Sequence, residues 1–289
     1  MPINREILAE RAEMLAEVRQ FFADRNVLEV DCPALSPESP VDVHIDVMQV
    51  QLDKPYYLHT SPEYRMKELL SFGSGDIYQM GHVYRQEEVG PLHNPEFTMV
   101  EWYRCAVSYE EFIQETLAFM SLFLGDLPVT YYTYKDALEK YSSGDVKKYH
   151  PDAENWDKDT QAQLLMSCEV EPHLGKEGPY VLDKFPASQA ALSQVREGFA
   201  ERFEIYYKGI ELANGYHELT DPQEQRRRFI ESNQKRIALG KQALPIDKSF
   251  IAALERGLPD CCGVAVGFDR LMMLKTNKTS LQETLPFSW

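Results

Sequence analysis

The sequence is poor in cysteine, with only five residues of this type, and it contains no Cys-x-x-Cys pair. An odd number of cysteines without that spacing argues against both a disulfide framework and a structural zinc site. Free thiols of this kind are typical of proteins from the reducing cytosol. We therefore expect a cytoplasmic protein without disulfide bonds.

Long apolar runs are also absent. No stretch approaches the roughly 20 consecutive apolar residues that a transmembrane helix requires. The N-terminal segment, residues 1–20, is charged and amphipathic and lacks the apolar central region of a signal peptide. Both absences favour a cytoplasmic location and predict no membrane association.

Basic residues are too few to balance the acidic ones. Thirty Lys and Arg stand against 46 Asp and Glu, which makes the formal net charge −16 and the pI about 4.9. Because attraction to phosphates dominates nucleic-acid affinity, a chain this acidic is not expected to hold RNA or DNA stably. A local basic pocket for a small polyanion such as ATP remains open, and the negative charge could also serve solubility alone.

The common nucleotide-binding and hydrolase motifs are missing. The sequence has no G-x-x-x-x-G-K-[ST] loop and no G-x-G-x-x-G after a predicted strand, and it lacks G-x-S-x-G and H-E-x-x-H. If the chain binds a nucleotide, it uses a different design.

The sequence nevertheless holds ample material for a folded core. It has 289 residues, of which 44% are hydrophobic and 26% charged, and it includes 16 Tyr, 14 Phe and three Trp. This balance excludes a disordered chain and is typical of a globular protein. The length allows one large domain or two modest ones.

Periodicity and capping signals predict helices alternating irregularly with paired strands. Helices are expected over 5–25, 108–124, 221–240, 247–257 and 269–275, and strands over 27–31, 43–52, 56–60, 77–85, 96–104, 199–219 (a pair) and 263–268. Because the strands come as hairpins, we predict an α+β fold with an antiparallel sheet flanked by helices. The segment 125–180, with helical patches near 133–141 and 158–168, is interpreted as a surface insertion.

The predicted hairpin 77–104 carries unusual chemistry on one face. Alternation along its second strand places Phe97, Met99, Glu101 and Tyr103 on the same side. An aromatic ring for stacking beside polar groups for an amine is a natural binding face, and Arg85 at the end of the first strand could hold a phosphate. For any single residue a solvated surface hairpin is the simpler interpretation, but for the whole set it is not.

These residues resemble a known family. Segments 84–87, 93–97 and 101–103 resemble motif 2 of the class II aminoacyl-tRNA synthetases, and 263–271 resembles their motif 3. The opening helix and strand, followed by Pro33, resemble motif 1, the dimer element, so the resemblance implies a homodimer. Segments 209–215 and 217–221 are similar to lysyl-tRNA synthetase. The motifs occur in the right order over nearly the whole chain.

Motif 1 begins almost at the first residue, where lysyl-tRNA synthetases carry an anticodon-binding barrel. We therefore expect residues 1–289 to form a single catalytic domain without an anticodon-binding domain. Segments 60–64, 93–99, 185–190 and 259–261 resemble the stand-alone paralogues that ligate (R)-β-lysine to elongation factor P. The resemblance implies that (R)-β-lysine or lysine is activated as an adenylate with ATP and Mg²⁺ and is then transferred to a lysine of elongation factor P.

Three glutamates, Glu204, Glu211 and Glu218, follow one another at seven-residue spacing. A helical heptad is the alternative interpretation, but Gly209 and Gly215 interrupt it. Carboxylates gathered near a triphosphate usually need a cation between them. By resemblance, Glu204 and Glu211 are Mg²⁺ ligands, and Glu218 accepts from the amine of the substrate.

The resemblance also implies roles for further residues. Arg85 would hold the α-phosphate and the substrate carboxylate, Arg270 would hold the γ-phosphate, and these two are the catalytic candidates. The candidate ATP-binding residues are Arg85, Gln86, Glu87, His93, Asn94, Phe97, Glu211, Leu212, Gly267 and Arg270. The candidate residues for the amino acid are Ser61, Pro62, Glu63, Glu101, Tyr103, Glu218 and Ala265.

Two other functions remain open at this point. One is a minimal tRNA-charging enzyme, which the expected lack of an anticodon domain and the charge of −16 disfavour. The other is a non-catalytic regulator with a synthetase-like fold, which would be expected to have lost residues such as Arg85, Phe97 and Arg270. The sequence does not fix which lysine isomer is used, although Ala265 in motif 3 fits a pocket that differs from that of lysyl-tRNA synthetases.

Overall fold

A computed structural model describes residues 5–86, 88–285 and 287 of the chain. Within this part, an eight-stranded sheet forms the centre of the fold, in the order β1-β5-β6-β14-β13-β12-β8-β7. Its strands are β1 (Leu28–Glu29), β5 (Ile77–Tyr84), β6 (Glu96–Cys105), β7 (Thr130–Thr133), β8 (Tyr180–Asp183), β12 (Arg202–Tyr207), β13 (Ile210–His217) and β14 (Cys261–Gly267). Only the two edge pairs, β1 with β5 and β7 with β8, are parallel. The predicted α+β fold with an antiparallel sheet is confirmed.

Six short strands form two small sheets beside the main one. The first has the order β2-β4-β3 and the second β10-β11-β9. These strands are β2 (Leu35–Ser36), β3 (Gln49–Gln51), β4 (Pro55–Leu58), β9 (Phe185–Pro186), β10 (Val195–Arg196) and β11 (Phe199–Ala200). The strand predicted over 43–52 is thus confined to its last residues.

Eight α-helices surround the sheets in the described part of the chain. They are α1 (Arg5–Ala23), α2 (Glu63–Ser71), α3 (Tyr109–Leu124), α4 (Tyr134–Tyr141), α5 (Lys158–Leu165), α6 (Pro222–Ala238), α7 (Lys248–Gly257) and α8 (Phe268–Lys275). Capping explains several of their first residues. Ser108 and Glu111 form a capping box at α3, and the carboxylates of Asp221 and Asp247 accept from the first backbone amides of α6 and α7.

One hydrophobic core cluster lies on one face of the main sheet, where α1, α3 and α8 cover it. Trp102 projects from β6 into this layer and packs against Phe22 of α1 and Phe119 of α3, with ring centroids 5.3 and 5.1 Å apart. Alternation along β6 turns Phe97, Met99, Glu101 and Tyr103 to the opposite face, as predicted. That face carries the cavity described below.

The hairpin of β12 and β13 contains a feature that the sequence does not reveal. Its turn is the predicted Lys208-Gly209 pair, with φ angles of 53° and 73°, the backbone that a tight hairpin requires. Ile205 pairs with Ala213, but Tyr206 pairs with Glu211, so Leu212 is an extra residue in β13. This β-bulge shifts the alternation and places Glu211 on the same face as Glu204 and Asn214.

The segment 125–180 is more than the surface insertion that we expected. It contributes β7 and part of β8 to the edge of the main sheet, and α5 continues into a π-helical turn, Met166–Val170. Met166 of that turn and Glu171 directly after it line the central cavity. The helix α2 was not predicted from the sequence, and it supplies a second group of cavity residues.

Candidate active site

A cavity of about 730 Å³ opens on the face of the main sheet opposite the aromatic core. Strands β6, β14, β13 and β12 form its floor, because their register places the alternating side chains of all four strands on this side. Glu101 stands opposite Ala265, Tyr103 opposite Gly263, and Asn214 opposite Ala265 on the other flank. The loop between β5 and β6, the start of α2 and the segment after α5 form its walls.

One end of the cavity is acidic. The carboxylate of Glu101 accepts hydrogen bonds from Ser61 Oγ at 2.6 Å and from Tyr103 OH at 2.8 Å. Glu218 lies beside it, 1% exposed, and Glu63 faces the same space from the first turn of α2. The ammonium of Lys67 lies 2.6 Å from Glu63 Oε1 and 2.5 Å from Glu218 Oε2.

The carboxylates at this end resist ionisation. Burial, together with the charge of Glu63, raises the pKa of Glu101 to about 7. Burial likewise raises the pKa of Glu218 to about 8, although Lys67 acts in the opposite direction. Burial opposes the charge on Lys67, but Glu218 and Glu63 outweigh it and raise the pKa of the ammonium. An incoming ammonium group would relieve the unfavourable burial of these carboxylates.

Gly263 allows this acidic end to form. A Cβ atom on Gly263 would overlap Glu218 Oε1 and the ring of Tyr103. Only glycine lets the strand β14 pass directly beneath both side chains. The neighbouring Ala265 lies on the same face, opposite Glu101, and also lines the cavity.

The middle of the cavity holds a second acidic group. Glu204 accepts from Arg202 Nη2 at 2.5 Å and from Tyr206 OH at 2.6 Å. Burial and the charge of Glu204 raise the pKa of Glu211 to about 7, and the same two causes raise the pKa of Glu171 to about 7. A cation between these carboxylates would remove their mutual repulsion.

The predicted metal ligands Glu204 and Glu211 fit a magnesium ion held partly by phosphate. Among the described residues, no group of three or more His, Cys, Asp or Glu has the geometry of a protein-only metal site. Mg²⁺ is usually bound through one or two carboxylates together with substrate phosphates and water. Both carboxylates line the cavity, and the Oδ1 atom of Asn214 beside them is buried without a hydrogen-bond partner in the described part.

The other end of the cavity is basic and aromatic. The guanidinium of Arg85 lies over the ring of Phe97, 5.2 Å from its centroid, and its buried Nε has no hydrogen-bond partner among the described residues. Arg270 donates to the carbonyl oxygen of Glu211 at 2.7 Å and contacts His93 Nε2 at 3.0 Å. Burial and then the charge of Arg270 lower the pKa of His93, which favours a neutral ring that accepts from the guanidinium.

Most of the predicted site residues meet in this cavity. Those that line it are Ser61, Glu63, Arg85, His93, Asn94, Phe97, Glu101, Tyr103, Glu204, Glu211, Leu212, Glu218, Ala265, Gly267 and Arg270. The amide of Asn94 is already bonded to the carbonyl oxygen of Glu96 at 2.6 Å. Gln86 is exposed and Pro62 is buried at the start of α2, and neither lines the cavity. Glu87 lies outside the described residues.

Sequence reasoning missed several residues of the cavity and its wall. Lys67 and Glu171 were overlooked because α2 and the turn after α5 were not predicted. Met66 and Leu70, both buried and four residues apart, are the weak signal that could have revealed α2. Arg202 and Tyr206, which flank Glu204 on alternate positions of β12, could have been found from strand alternation.

Comparison with known proteins agrees with this arrangement of motifs. A family model described as tRNA synthetases class II (D, K and N) matches residues 2–289. The chain belongs to this family. The resemblance based on motifs 1, 2 and 3 is thereby confirmed.

Similar individual proteins carry a more specific name. The chain is 43% identical over 305 residues to an elongation factor P–(R)-β-lysine ligase of Hamiltonella defensa subsp. Acyrthosiphon pisum (strain 5AT), with 97% of this chain and 94% of that protein covered. It is 42% identical to the protein of the same name from Pasteurella multocida (strain Pm70), covering 98% and 94%. For the one from Edwardsiella ictaluri (strain 93-146), the identity is 44% and the coverage 97% and 94%.

None of the helices within residues 5–86 and 88–285 has both the length and the apolar character that a membrane span needs. In the same part of the chain, all five cysteines are free thiols.

Proposed function

We propose that this protein activates (R)-β-lysine, or lysine, with ATP and transfers the activated acyl group to a lysine side chain of elongation factor P. The observation that carries the proposal is the polarity of one cavity. Its acidic end, with Glu101 and Glu218, suits an ammonium group, and its basic end, with Arg85 and Arg270, suits phosphates. The names of relatives that cover nearly the whole chain support the same reaction.

The first step is attack of the amino acid carboxylate on the α-phosphorus of ATP, which forms an acyl-adenylate and releases pyrophosphate. Arg85, whose buried Nε atom has no hydrogen-bond partner in the described part of the chain, is the residue that would hold the α-phosphate and the substrate carboxylate. Arg270 would hold the γ-phosphate, and Phe97 would stack on the adenine. Such a reaction needs no covalent intermediate on the enzyme, so catalysis is mostly positioning and charge stabilisation.

The metal ion would supply charge neutralisation between the phosphates. Glu204 and Glu211 are the residues that would hold Mg²⁺, and the raised pKa of Glu211 fits a carboxylate that is stabilised when a cation binds. Arg202 and Tyr206 keep the carboxylate of Glu204 oriented toward the cavity.

The amino acid side chain would enter the acidic end. Glu218, Glu101 and Tyr103 would bind its ammonium group, while Ser61 fixes Glu101 and Glu63 provides a further carboxylate. Ala265 lies beside Glu101 and would limit the space for the main-chain atoms of the substrate. In the second step, the lysine amine of the acceptor protein attacks the adenylate carbonyl, forming an amide and releasing AMP.

Pyrophosphate exchange tests the first step. We expect exchange with (R)-β-lysine or α-lysine and none with leucine or glutamate, because only a side-chain ammonium satisfies Glu101 and Glu218. The relative rates for the two lysine isomers decide which one is the substrate. Exchange with no amino acid at all would contradict the proposal and favour a non-catalytic protein.

A labelling experiment identifies the acceptor. Enzyme, ATP, Mg²⁺ and the labelled amino acid are incubated with either elongation factor P or total tRNA. We expect label on the protein, since the net charge of −16 disfavours nucleic acid. The family description names tRNA synthetases, so tRNA charging is the second candidate, and label on tRNA alone would establish it.

A homodimer is part of the same proposal. The edge strand β1 presents Leu28, whose exposed fraction is 59%, next to the helix α1 that resembles the dimer element of the family. An isologous contact of this kind should persist at micromolar concentration. Light scattering that shows only monomer at that concentration would contradict it.

A further inference from the structure

Lys67 is a fully buried ammonium group next to the acidic end of the cavity. Its side chain has no exposed surface, and it is held between Glu63 Oε1 and Glu218 Oε2 at 2.6 and 2.5 Å. The ring of Phe250 lies beneath it, 5.9 Å from the nitrogen. A buried charge is tolerated only when it is well paired, so this residue and both carboxylates depend on one another.

The charges at this end do not balance within the protein. Three carboxylates, those of Glu63, Glu101 and Glu218, face one ammonium, which leaves an excess of two negative charges when all are ionised. The three carboxylates are held by different partners. Lys67 fixes Glu63 and Glu218, whereas Glu101 is fixed by the neutral donors Ser61 and Tyr103.

Lys67 does not line the cavity, because it reaches the two carboxylates from α2 behind them. It therefore does not contact the substrate directly. Without its ammonium, Glu63 would be free to swing toward solvent, since its side chain is 15% exposed, and Glu218 would lose its only nearby cation among the described residues. Both changes would weaken the acceptor for an incoming amine.

We propose that Lys67 is a positioning residue for substrate selection: by clamping Glu63 and Glu218 it holds both carboxylates in the orientation that accepts an ammonium group, so that the acidic end selects a diamino acid. This inference rests on the proposed function. Its distinctive consequence is that substitution of Lys67 should weaken binding of the amino acid and not of ATP, although Lys67 does not contact the substrate.

The central experiment is pyrophosphate exchange by the Lys67→Met variant, which removes the charge and keeps much of the length of the side chain. We expect the KM for the lysine substrate to rise at least about tenfold, the scale seen when one partner of a buried charge pair is lost, and the KM for ATP to stay within about twofold. The exposed Lys248, at the start of the adjacent helix α7, supplies the matched control Lys248→Met, which should behave as wild type.

The pH profile separates a positioning role from a merely structural one. Loss of Lys67 removes the charge that favours the ionised form of Glu218, so the pH at which the substrate binds half-maximally should move upward in Lys67→Met. The titratable or charged groups around this end are Glu63 and Lys67 of α2, Glu101 and Tyr103 of β6, Tyr216 of β13, Glu218 after it, and Cys261 of β14. Lys248→Met should leave the profile unchanged.

A second variant distinguishes a loss of substrate affinity from a loss of folding. Lys67→Met/Glu63→Gln has the same net pocket charge as wild type, and we expect it to recover part of the lost affinity for the amino acid. Equal changes in the KM for ATP and for the amino acid, no change in either, or a failure of both variants to fold by circular dichroism would overturn the inference. Absence of exchange in wild type would instead contradict the proposed function itself.

Discussion

Glu211 and Glu218 are seven residues apart on one strand and its continuation, and yet both face the same cavity. In a regular strand an odd separation places two side chains on opposite faces. The extra residue Leu212 in β13 reverses the alternation between them. A single β-bulge thus places the carboxylate that would hold the metal and the carboxylate that would bind the substrate amine in the same cavity.

The Arg85→Ala variant should lose adenylate formation. The guanidinium lies at the basic end, and its buried Nε has no partner among the residues that the structure describes. Removal of a charge that stabilises the transition state typically lowers kcat about 100-fold or more. Arg270→Ala, by contrast, should mainly raise the KM for ATP. Pyrophosphate exchange measures both, and near-normal exchange by Arg85→Ala would show that the motif 2 assignment is wrong.

The Gly263→Ala variant should bind the amino acid poorly. Its Cβ would overlap Glu218 Oε1 and the ring of Tyr103, so the acidic end would have to rearrange, and we expect the KM for the lysine substrate to rise about tenfold or more. The KM for ATP should change little. Gly81→Ala on β5 is the matched control, because its Cβ would meet Gln79 only at an ordinary distance of 3.6 Å.

Affinity for the amino acid should rise with pH. Burial raises the pKa of Glu101 to about 7 and that of Glu218 to about 8, so the empty site holds protons at pH 6. The substrate ammonium stays charged below about pH 10 and favours the ionised carboxylates, so its binding releases protons. Linkage then requires the affinity to increase about tenfold per pH unit for each proton released, levelling off above the raised pKa values.

Calorimetry in two buffers of different ionisation enthalpy measures that proton release directly. Each proton released on binding adds the buffer's protonation enthalpy to the observed heat. Glu101→Gln, which cannot ionise, should release fewer protons than wild type. Affinity that is constant from pH 6 to pH 8, or that falls, would contradict the predicted carboxylate chemistry.

The Asp269→Asn variant should be less stable. Asp269 Oδ1 lies 2.6 Å from Arg11 Nη1, and its Oδ2 accepts from the backbone amide of Thr98 at 2.7 Å, with 2% of the aspartate side chain exposed. Its loss leaves the largely buried guanidinium of Arg11 without this counter-charge, and we expect the free energy of unfolding to fall by about 3 kcal/mol. Urea denaturation measures this change. The surface pair Lys135–Glu139 supplies the control, because Glu139→Gln should cost well under about 1 kcal/mol.

Local signals in the sequence were sufficient for much of the fold and of the basic end of the site. The turn at Lys208-Gly209, the caps at Ser108 and Asp221, and the alternating face of β6 depend only on neighbouring residues, so they could be recognised without a structure. The motif residues Arg85 and Phe97 lie close together in the sequence, and the hairpin that joins them brings them into contact.

The acidic parts of the cavity were decided by the tertiary structure. At the acidic end, Lys67 pairs with Glu218 from a helix that has only a weak pattern of its own. In the middle of the cavity, the charge of Glu204 raises the pKa of Glu171, which lies in a segment that was interpreted as a surface insertion. Neither relationship has a signal in the sequence, because only the packing of distant segments brings these residues together. The bulge at Leu212 is likewise a product of the tertiary structure. The packing of β13 between β12 and β14 determines which side each carboxylate faces, and no single residue of the strand determines it alone.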